Sequence, residues 1–209
     1  MPQPPTLQVA EIFSSIQGEG LRQGEPTLFV RLSGCNLECS FCDTKYAWRK
    51  GKDYSTAQIL EEIKKQRHRF PTKWICLTGG EPLLQDLSDL VQKLKEEKFK
   101  IQVETNATLF RPLPVDWYSI SPKPEKYFFR PEYKKAAKEV KLVVTKDLKL
   151  DTIQRLRQEF PEKTPILLQP QSNRKWSLDK GMRLLKQALQ AGIKNTKLSV
   201  QLHKIYALR

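Results

Sequence analysis

The sequence has few of the features that would mark a membrane, secreted or zinc-ribbon protein. It contains no run of about eighteen apolar residues, the length that a membrane-spanning helix needs. Residues 1–5 include neither the basic nor the apolar segment of a secretory signal, which predicts that the chain is not exported. Only two histidines and four cysteines are present, and the second C-x2-C pair of a zinc ribbon is missing.

Acidic residues are also scarce relative to basic ones. The chain has 23 of the former and 37 of the latter, which gives a net charge of +14. A basic surplus is common in proteins that bind nucleic acid, but here the charges are spread over the whole chain. We interpret the densest basic stretch, 123–141, as a solvated face. The alternative functions of this stretch, from the most to the least favoured, are attraction of anionic substrates, docking of an acidic electron donor and RNA contact. Direct nucleic-acid binding is therefore not expected.

Apolar segments of two kinds alternate along the chain. Short continuous runs predict strands, and apolar residues at helical spacing predict helices between them. The predicted strands are 7–13, 27–32, 74–78, 100–104, 117–120, 139–145, 166–169 and 197–202. The predicted helices carry apolar stripes within 59–63, 87–94, 153–160 and 178–189, and Ser55 is the predicted N-cap of the first.

This alternation predicts an α/β fold. Short apolar strands separated by helices favour a parallel sheet wound as a partial (βα)6-type TIM barrel. The length of 209 residues and the absence of a linker or repeat predict a single domain, 1–209. Polar and glycine-rich segments follow the predicted strands, and that edge of a parallel sheet is where ligands bind.

Three of the four cysteines lie in one short loop with the spacing C-x3-C-x2-C: Cys35, Cys39 and Cys42. Three thiolates cannot complete a four-cysteine iron–sulfur site, but they can hold three irons of a cubane and leave the fourth open. A structural zinc site would need a fourth ligand from Cys76, His68, His203 or a carboxylate. Disulfides would leave one of the three thiols unpaired. We favour the cluster, and reduced thiols predict a cytoplasmic location.

The segment Gly79-Gly80-Glu81-Pro82 ends the next long apolar strand. Two glycines would let a ligand's amino group approach main-chain carbonyls, and Glu81 would accept a hydrogen bond from an ammonium. This segment, placed after C-x3-C-x2-C, resembles the radical S-adenosylmethionine (SAM) enzymes. More specifically, the chain resembles the 7-carboxy-7-deazaguanine synthase family through these segments: E-I-F-S-S-I-Q-G-E-G (11–20), F-V-R-L-S-G-C-N-L (29–37), C-D-T (42–44), T-G-G-E-P (78–82), S-P-K (121–123) and Q-L-H-K (201–204).

The resemblance implies a carbon–nitrogen lyase of deazapurine and queuosine biosynthesis. Its substrate would be a small pterin, 6-carboxy-5,6,7,8-tetrahydropterin, which is converted to 7-carboxy-7-deazaguanine with loss of ammonia. The implied cofactors are a [4Fe–4S] cluster, SAM and Mg²⁺. The resemblance also implies a homodimer, a flavodoxin-like electron donor, and one radical SAM domain whose N-terminal strand and loop, 7–26, pack over the active site.

Site residues follow from the resemblance position by position. The metal ligands would be Cys35, Cys39 and Cys42 for the cluster and Thr44 for Mg²⁺. The substrate contacts would be Ile16, Gln17, Gly18, Glu19, Arg31, Thr78 and His203. The SAM contacts would be Phe41, Cys42, Asp43, Gly80, Glu81, Ser121, Pro122, Lys123 and Gln169. The planar fork of Arg31 suits the substrate carboxylate, and the Thr44 hydroxyl is an oxygen ligand of the kind that Mg²⁺ prefers.

Some of these residues also have purely structural interpretations. Arg31 could form an ion pair at a strand end, Gln17 and Glu19 could stabilise a turn, and Thr44 could cap a helix. His203 could be structural, and Cys76, inside an apolar strand, is predicted to be a core residue. The family places its C-terminal carboxylate near the substrate, but the ending of this chain is a poorer match, so that role stays open.

Two other functions remain open. A glycyl-radical-enzyme-type activase would share the cysteine spacing and a similar barrel, but it would not need the Q-G-E-G segment. A non-catalytic iron–sulfur or zinc protein that binds RNA would have no use for G-G-E-P and Q-G-E-G together.

Overall fold

The computed structural model describes residues 6–124 and 126–208, so the predictions for 1–5 and for the C-terminal carboxylate lie outside the described residues. The chain forms two compact units. The first consists of the residues up to Gln17, Glu25–Thr105 and Arg111–Trp117; the second consists of Gly18–Gly24, Asn106–Phe110 and the chain from Tyr118 onward.

The first unit is a sheet with helices packed against it. Its elements are β1 (Thr6–Ile16), β2 (Pro26–Leu32), β3 (Lys52–Ser55), α1 (Thr56–Arg69), β4 (Trp74–Gly79), α2 (Ser88–Glu96) and β5 (Lys100–Thr105). The strand order is β3-β1-β2-β4-β5. β1 runs antiparallel to both of its neighbours, whereas β2, β4 and β5 are parallel.

Local sequence explains how these elements begin and where the core lies. The central strands β2 and β4 are almost continuously apolar and are buried along their lengths. α1 begins at a capping box, in which the Ser55 hydroxyl accepts from the Gln58 N–H and the Gln58 side chain accepts from the Ser55 N–H. The predicted N-cap at Ser55 is confirmed.

The second unit is a parallel α/β arrangement. Its elements are β6 (Trp117–Ile120), α3 (Tyr133–Ala136), β7 (Ala137–Val144), α4 (Leu150–Glu159), β8 (Ile166–Pro170), α5 (Lys175–Gln190), β9 (Thr196–Leu198) and α6 (Leu202–Ile205). The strands follow the order β6-β7-β8-β9, and each pair is parallel. The six strands predicted between 27 and 169 are therefore confirmed, with boundaries shifted by a residue or two.

The structure corrects two of the predicted strands. The strand predicted at 197–202 is only Thr196–Leu198, because the chain turns away and the Leu202 N–H donates to the Gly18 carbonyl as α6 begins. The N-terminal strand is antiparallel rather than part of the parallel set. In addition, no helix in the described part of the chain is long and apolar enough to cross a membrane.

α5 forms as predicted, but it buries a different face. Three residues of its predicted apolar stripe are exposed, Leu178 by 36%, Met182 by 52% and Leu189 by 63%, and the fourth, Leu185, is half-buried. The buried positions are Ser177, Gly181, Leu184 and Ala188, three of which are small. An added Cβ at Gly181 would lie 3.0 Å from a Leu198 methyl, so the small residue lets the helix approach its sheet closely.

Candidate active site

The three clustered cysteines lie in the segment between β2 and β3, residues 33–51, which we call the cysteine loop. Main-chain hydrogen bonds hold it: the Gly34 N–H donates to the Ala47 carbonyl at 2.8 Å, and the Cys42 N–H donates to the Cys39 carbonyl at 3.0 Å. Cys35, Cys39 and Cys42 are half-buried and form no disulfide. Main-chain hydrogen bonds thus help to hold a loop that presents three thiols.

The thiols lie close enough to influence one another. Burial raises the pKa of Cys35, and the nearby charges of Glu81, Cys39 and Cys42 raise it further. No group of three or more His, Cys, Asp or Glu side chains in residues 6–124 and 126–208 is arranged around a single metal ion. In a cubane each of three thiolates binds a different iron, and this loop presents three thiols.

The two glycines of G-G-E-P allow the end of β4 to approach the cysteine loop. A Cβ at Gly80 would lie 2.1 Å from the Gly34 carbonyl oxygen and 2.9 Å from the Cys35 Cβ. The Glu81 N–H donates to the same carbonyl at 2.8 Å. These glycines therefore serve backbone packing, in addition to the approach to a ligand for which the sequence suggested them.

Glu81 is fully buried beside this contact. Its Oε1 atom accepts from the Leu83 N–H at 3.1 Å and from the Thr105 hydroxyl at 2.8 Å. The predicted SAM contact is thus also a hub that joins the ends of β4 and β5.

Thr44 and Asp43 place oxygen atoms next to the cysteines. The Thr44 hydroxyl donates to the Asp43 carboxylate at 3.0 Å, and the Thr44 N–H donates to Cys42 Sγ at 3.4 Å. Thr44 does precede a short 3₁₀ helix, Lys45–Trp48, but its side chain makes no capping hydrogen bond there. Phe41, the predicted adenine contact, is half-buried in the same loop.

Arg31, near the end of β2, forms an ion pair with Glu11 of the neighbouring β1. Arg31 Nε lies 2.8 Å from Glu11 Oε1, and each side chain is only 17% exposed. The same oxygen accepts from the Tyr46 hydroxyl; burial and this hydrogen bond raise the pKa of Tyr46 to about 12. The ion pair considered from the sequence exists, but it is largely buried. It uses Nε, so the two Nη groups of the fork remain to pair with a carboxylate.

Glu104 is a residue that the sequence analysis missed. Its carboxylate accepts from the Gln17 amide at 3.1 Å, from the Gln102 amide at 3.0 Å and from the Thr78 hydroxyl at 3.4 Å. Two of these donors, Gln17 and Thr78, are predicted substrate contacts. Glu104 occurs one residue before the end of β5, and an acidic residue at the ligand-binding edge of a strand was the signal available in the sequence.

In the second unit, the predicted SAM contacts lie at or just after the ends of strands. Lys123 Nζ donates to the Ser121 hydroxyl at 2.6 Å after β6, and Pro122 between them is buried. Gln169, in β8, is 5% exposed, and its amide oxygen has no hydrogen-bond partner among the described residues. A ligand or a water that donated a hydrogen bond would satisfy this buried acceptor.

The segment Gly18–Gly24 belongs to the second unit and contains the last three residues of the Q-G-E-G motif. Ile16 and Gln17, which precede it, belong to the first unit. Glu19 pairs with Lys141, Nζ to Oε2 at 2.7 Å, and accepts from the Gln201 amide at 2.7 Å. Burial alone would raise the pKa of Glu19, but Lys141, Gln201 and the charge of His203 together lower it to about 2. His203 packs against Gly18, where a Cβ would lie 2.4 Å from its Nδ1 atom.

Comparisons with known proteins agree with this arrangement. The sequence model of the Radical SAM superfamily matches residues 29–204. The 7-carboxy-7-deazaguanine synthase of Aquifex aeolicus is 35% identical over 97% of this chain and 94% of its own length. That of Rickettsia prowazekii is 34% identical over 97% and 88%. The crystal structure of QueE from Escherichia coli matches with a TM-score of 0.77 and 26% identity, covering 94% of each chain.

The chain is therefore a member of the radical SAM superfamily, whose sequence pattern covers most of its length. The likeness to QueE confirms the α/β partial-barrel fold class. Within the superfamily, the chain belongs to the 7-carboxy-7-deazaguanine synthase family, because relatives of that name match it over nearly the whole chain. The cofactors of this family are a [4Fe–4S] cluster, SAM and Mg²⁺, and the three thiols of the cysteine loop fit the first of them.

Proposed function

We propose that this chain converts 6-carboxy-5,6,7,8-tetrahydropterin to 7-carboxy-7-deazaguanine with loss of ammonia, in deazapurine biosynthesis. The observation that carries the proposal is the cysteine loop, which presents three thiols from a backbone that packs against Gly80 of the G-G-E-P turn. When bound, the cluster and SAM supply the radical that removes a hydrogen from the pterin. The chain itself binds and orients the substrate and excludes water.

In the first unit, we assign substrate binding to residues at the edge of β2, β4 and β5. The Arg31 fork would pair with the substrate carboxylate. Thr78 and Gln17, together with Ile16, would contact the ring, and Glu104 would accept hydrogen bonds from its amino and amide edge. Support for Glu104 comes from its hydrogen bonds to both Gln17 and Thr78.

The same unit would hold the metal groups and part of SAM. Cys35, Cys39 and Cys42 would bind the cluster, and Thr44 would bind Mg²⁺ through its hydroxyl, which lies 3.0 Å from the Asp43 carboxylate. Phe41, Cys42, Asp43, Gly80 and Glu81 would contact SAM. Gly80 would do so through its main chain, because its α-carbon faces the cysteine loop without a side chain.

In the second unit, the assigned residues divide between the two ligands. Ser121, Pro122, Lys123 and Gln169 would contact SAM, and the unsatisfied amide oxygen of Gln169 supports this role. Gly18, Glu19 and His203 would contact the pterin. We also propose that the protein is a cytoplasmic homodimer that receives electrons from a flavodoxin-like donor. Residues 1–209 would form one radical SAM domain, and the segment 7–26 would cover its active site.

The test is an anaerobic assay of reconstituted protein with 6-carboxytetrahydropterin, SAM, Mg²⁺ and dithionite, in which the absorbance of 7-carboxy-7-deazaguanine is followed. Product formation is the expected result. Cleavage of SAM without product would contradict the substrate assignment and favour an activase, which would need a protein partner. Failure to assemble a cluster would overturn the radical mechanism for this chain.

Replacement of Arg31 tests the substrate orientation. Arg31→Ala removes the fork, and we expect the dissociation constant of the pterin to rise about 10-fold to 100-fold, the usual effect of losing a hydrogen bond to a charged group. The affinity for SAM should change by less than about two-fold. Equal losses for both ligands would remove Arg31 from the proposed role.

A further inference from the structure

β7 carries two charged side chains inside a run that is otherwise apolar. Glu139 is 1% exposed and Lys141 is 4% exposed. The two residues are two positions apart in a strand, so both side chains project from the same face of the sheet. Lysine and glutamate are rarely buried to this degree unless each is paired.

Both side chains reach the segment Gly18–Gly24. The Glu139 carboxylate accepts from the Leu21 N–H at 2.6 Å and from the Ser119 hydroxyl at 2.6 Å. Lys141 Nζ donates to Glu19 Oε2 at 2.7 Å. One contact therefore fixes the backbone of the segment, and the other fixes the Glu19 side chain two residues earlier. We call this pair, Glu139 and Lys141, the β7 clamp.

Stability alone does not explain the Lys141–Glu19 pair. Removing two charges from water costs several kcal/mol per ion, and the attraction between the ions often does no more than offset that cost. A well-packed apolar pair of similar volume would hold the segment as firmly. What an ion pair adds is a fixed direction and a fixed charge on the carboxylate.

Glu19 is the more accessible partner of this pair. Its side chain is 16% exposed, compared with 5% for Lys141. Lys141 donates to Oε2 and Gln201 donates to Oε1, so each carboxylate oxygen is oriented by a side chain. A ligand therefore reaches Glu19 more readily than Lys141.

We propose that Lys141 is a positioning residue for pterin binding: it holds Glu19 ionised and oriented, so that the carboxylate accepts the N–H groups of the substrate's amino and amide edge. This rests on the proposed function, because it needs the pterin as the ligand of Glu19. Lys141 itself touches no substrate. Its effect passes through Glu19, while Glu139 fixes the adjoining main chain.

The test compares Lys141→Met with Lys138→Met, a matched control because Lys138 lies on the same strand and is exposed. Dissociation constants of 6-carboxytetrahydropterin and of SAM are measured by calorimetry on the holoenzyme without reductant, so that no turnover occurs. We expect Lys141→Met to raise the pterin constant about 10-fold to 100-fold. The SAM constant should stay within about two-fold, and Lys138→Met should leave both constants unchanged.

A double-mutant cycle shows whether the effect passes through Glu19. The combination of Lys141→Met with Glu19→Gln should bind the pterin no more weakly than Glu19→Gln alone, because the effects of coupled residues do not add. Additive losses would overturn the positioning role. A conservative Lys141→Arg variant keeps the charge but displaces it, so it should bind the pterin more tightly than Lys141→Met and several-fold more weakly than wild type.

The outcomes separate this proposal from the proposed function. If the wild-type protein binds the pterin and Lys141→Met binds it equally well, the role of Lys141 is overturned and the function stands. A variant that loses affinity for both ligands has only a structural defect, which also overturns the role. A wild-type protein that fails to bind the pterin contradicts the function itself. If Lys141→Met does not fold, Lys141→Arg provides the test instead. The larger guanidinium should displace the Glu19 carboxylate, which should weaken pterin binding several-fold and leave SAM binding intact.

Discussion

The cysteine loop and the Gly18–Gly24 segment are held in different ways. In the cysteine loop most of the anchoring contacts described above join main-chain atoms, as in the 2.8 Å hydrogen bonds from Gly34 to Ala47 and from Glu81 to Gly34. In the Gly18–Gly24 segment the buried charges of the β7 clamp and the Gln201 amide add side-chain anchors to the main-chain hydrogen bond from Leu202 to Gly18. Substitutions of cysteine-loop side chains should therefore change chemistry without changing the fold. In the second segment the same kind of substitution should change both.

Loss of a cysteine is the largest effect expected from this difference. Replacing Cys35, Cys39 or Cys42 by Ala removes one iron ligand from a loop that its backbone still holds, so cluster absorbance and SAM cleavage should both be abolished. The thermal midpoint of the cluster-free protein should be nearly unchanged. The control is Cys76→Ala, which alters a buried cysteine of β4 and should keep the cluster. A cysteine-loop variant that kept the cluster would contradict the expected difference between the two segments.

The charge on Glu19 predicts an acid-dependent loss of stability in the second segment. Its pKa is about 2, below the ordinary 4.5, because the ionised form is paired with Lys141 and Gln201. A lowered pKa stabilises the folded state above the ordinary value, and that stabilisation is lost as the pH falls through about 2. The shift corresponds to at most about 3 kcal/mol.

The measurement is the free energy of unfolding of cluster-free wild type and Glu19→Gln between pH 6 and pH 2. Protonated Glu19 resembles glutamine, so the difference between the two proteins should be largest at pH 6 and should shrink toward zero at pH 2. Carboxylates elsewhere affect both proteins equally. A difference that stays constant with pH would show that Glu19 is not held as an ionised group.

Alanine substitutions at Gly20 and Gly24 should have an intermediate effect on stability, and Gly24→Ala is the control for Gly20→Ala. Both have a positive φ, +73° and +89°, so alanine costs roughly 1–2 kcal/mol of backbone strain at either position. A Cβ at Gly20 would also lie 2.3 Å from a Glu139 carboxylate oxygen, whereas nothing lies within 4 Å of one at Gly24. Gly20→Ala should therefore lower the free energy of unfolding by about 1–2 kcal/mol more than Gly24→Ala, as measured by urea titration. Equal losses would mean that Glu139 moves aside freely.

The same contrast explains what could be predicted from the sequence. The cysteine loop is encoded locally: the spacing of its cysteines predicts the cluster ligands, and the apolar run before them predicted β2. The β7 clamp is not local: Lys141 contacts Glu19 across more than a hundred residues, and only the charges at 139 and 141 within an apolar run hinted at it. Glu104 was missed for a similar reason, because its donors come from three separate segments.

α5 shows how burial can defeat a pattern. Leu178, Met182 and Leu189 have the spacing of a core-facing stripe, yet they are exposed. The sheet instead accepts the face with Gly181 and Ala188, because small residues permit closer packing. Periodicity predicted the helix correctly. It could not predict which face of the helix is buried, because that depends on the shape of the sheet surface against which the helix packs.

Thr44→Val should give the smallest effect of these substitutions. It is the finest test of whether a side chain of the cysteine loop can be changed without changing the fold. Valine keeps the branched shape of threonine and removes only the hydroxyl, whose contact in the structure is the exposed Asp43 carboxylate. The main-chain contacts of Thr44 to Cys42 and Ala47 remain, so the cluster and the fold should be retained. We expect a few-fold loss of Mg²⁺ stimulation, measured as the rate of product formation against Mg²⁺ concentration. An unchanged Mg²⁺ response would remove Thr44 from the metal site, and a lost cluster would show that side chains do help to hold this loop.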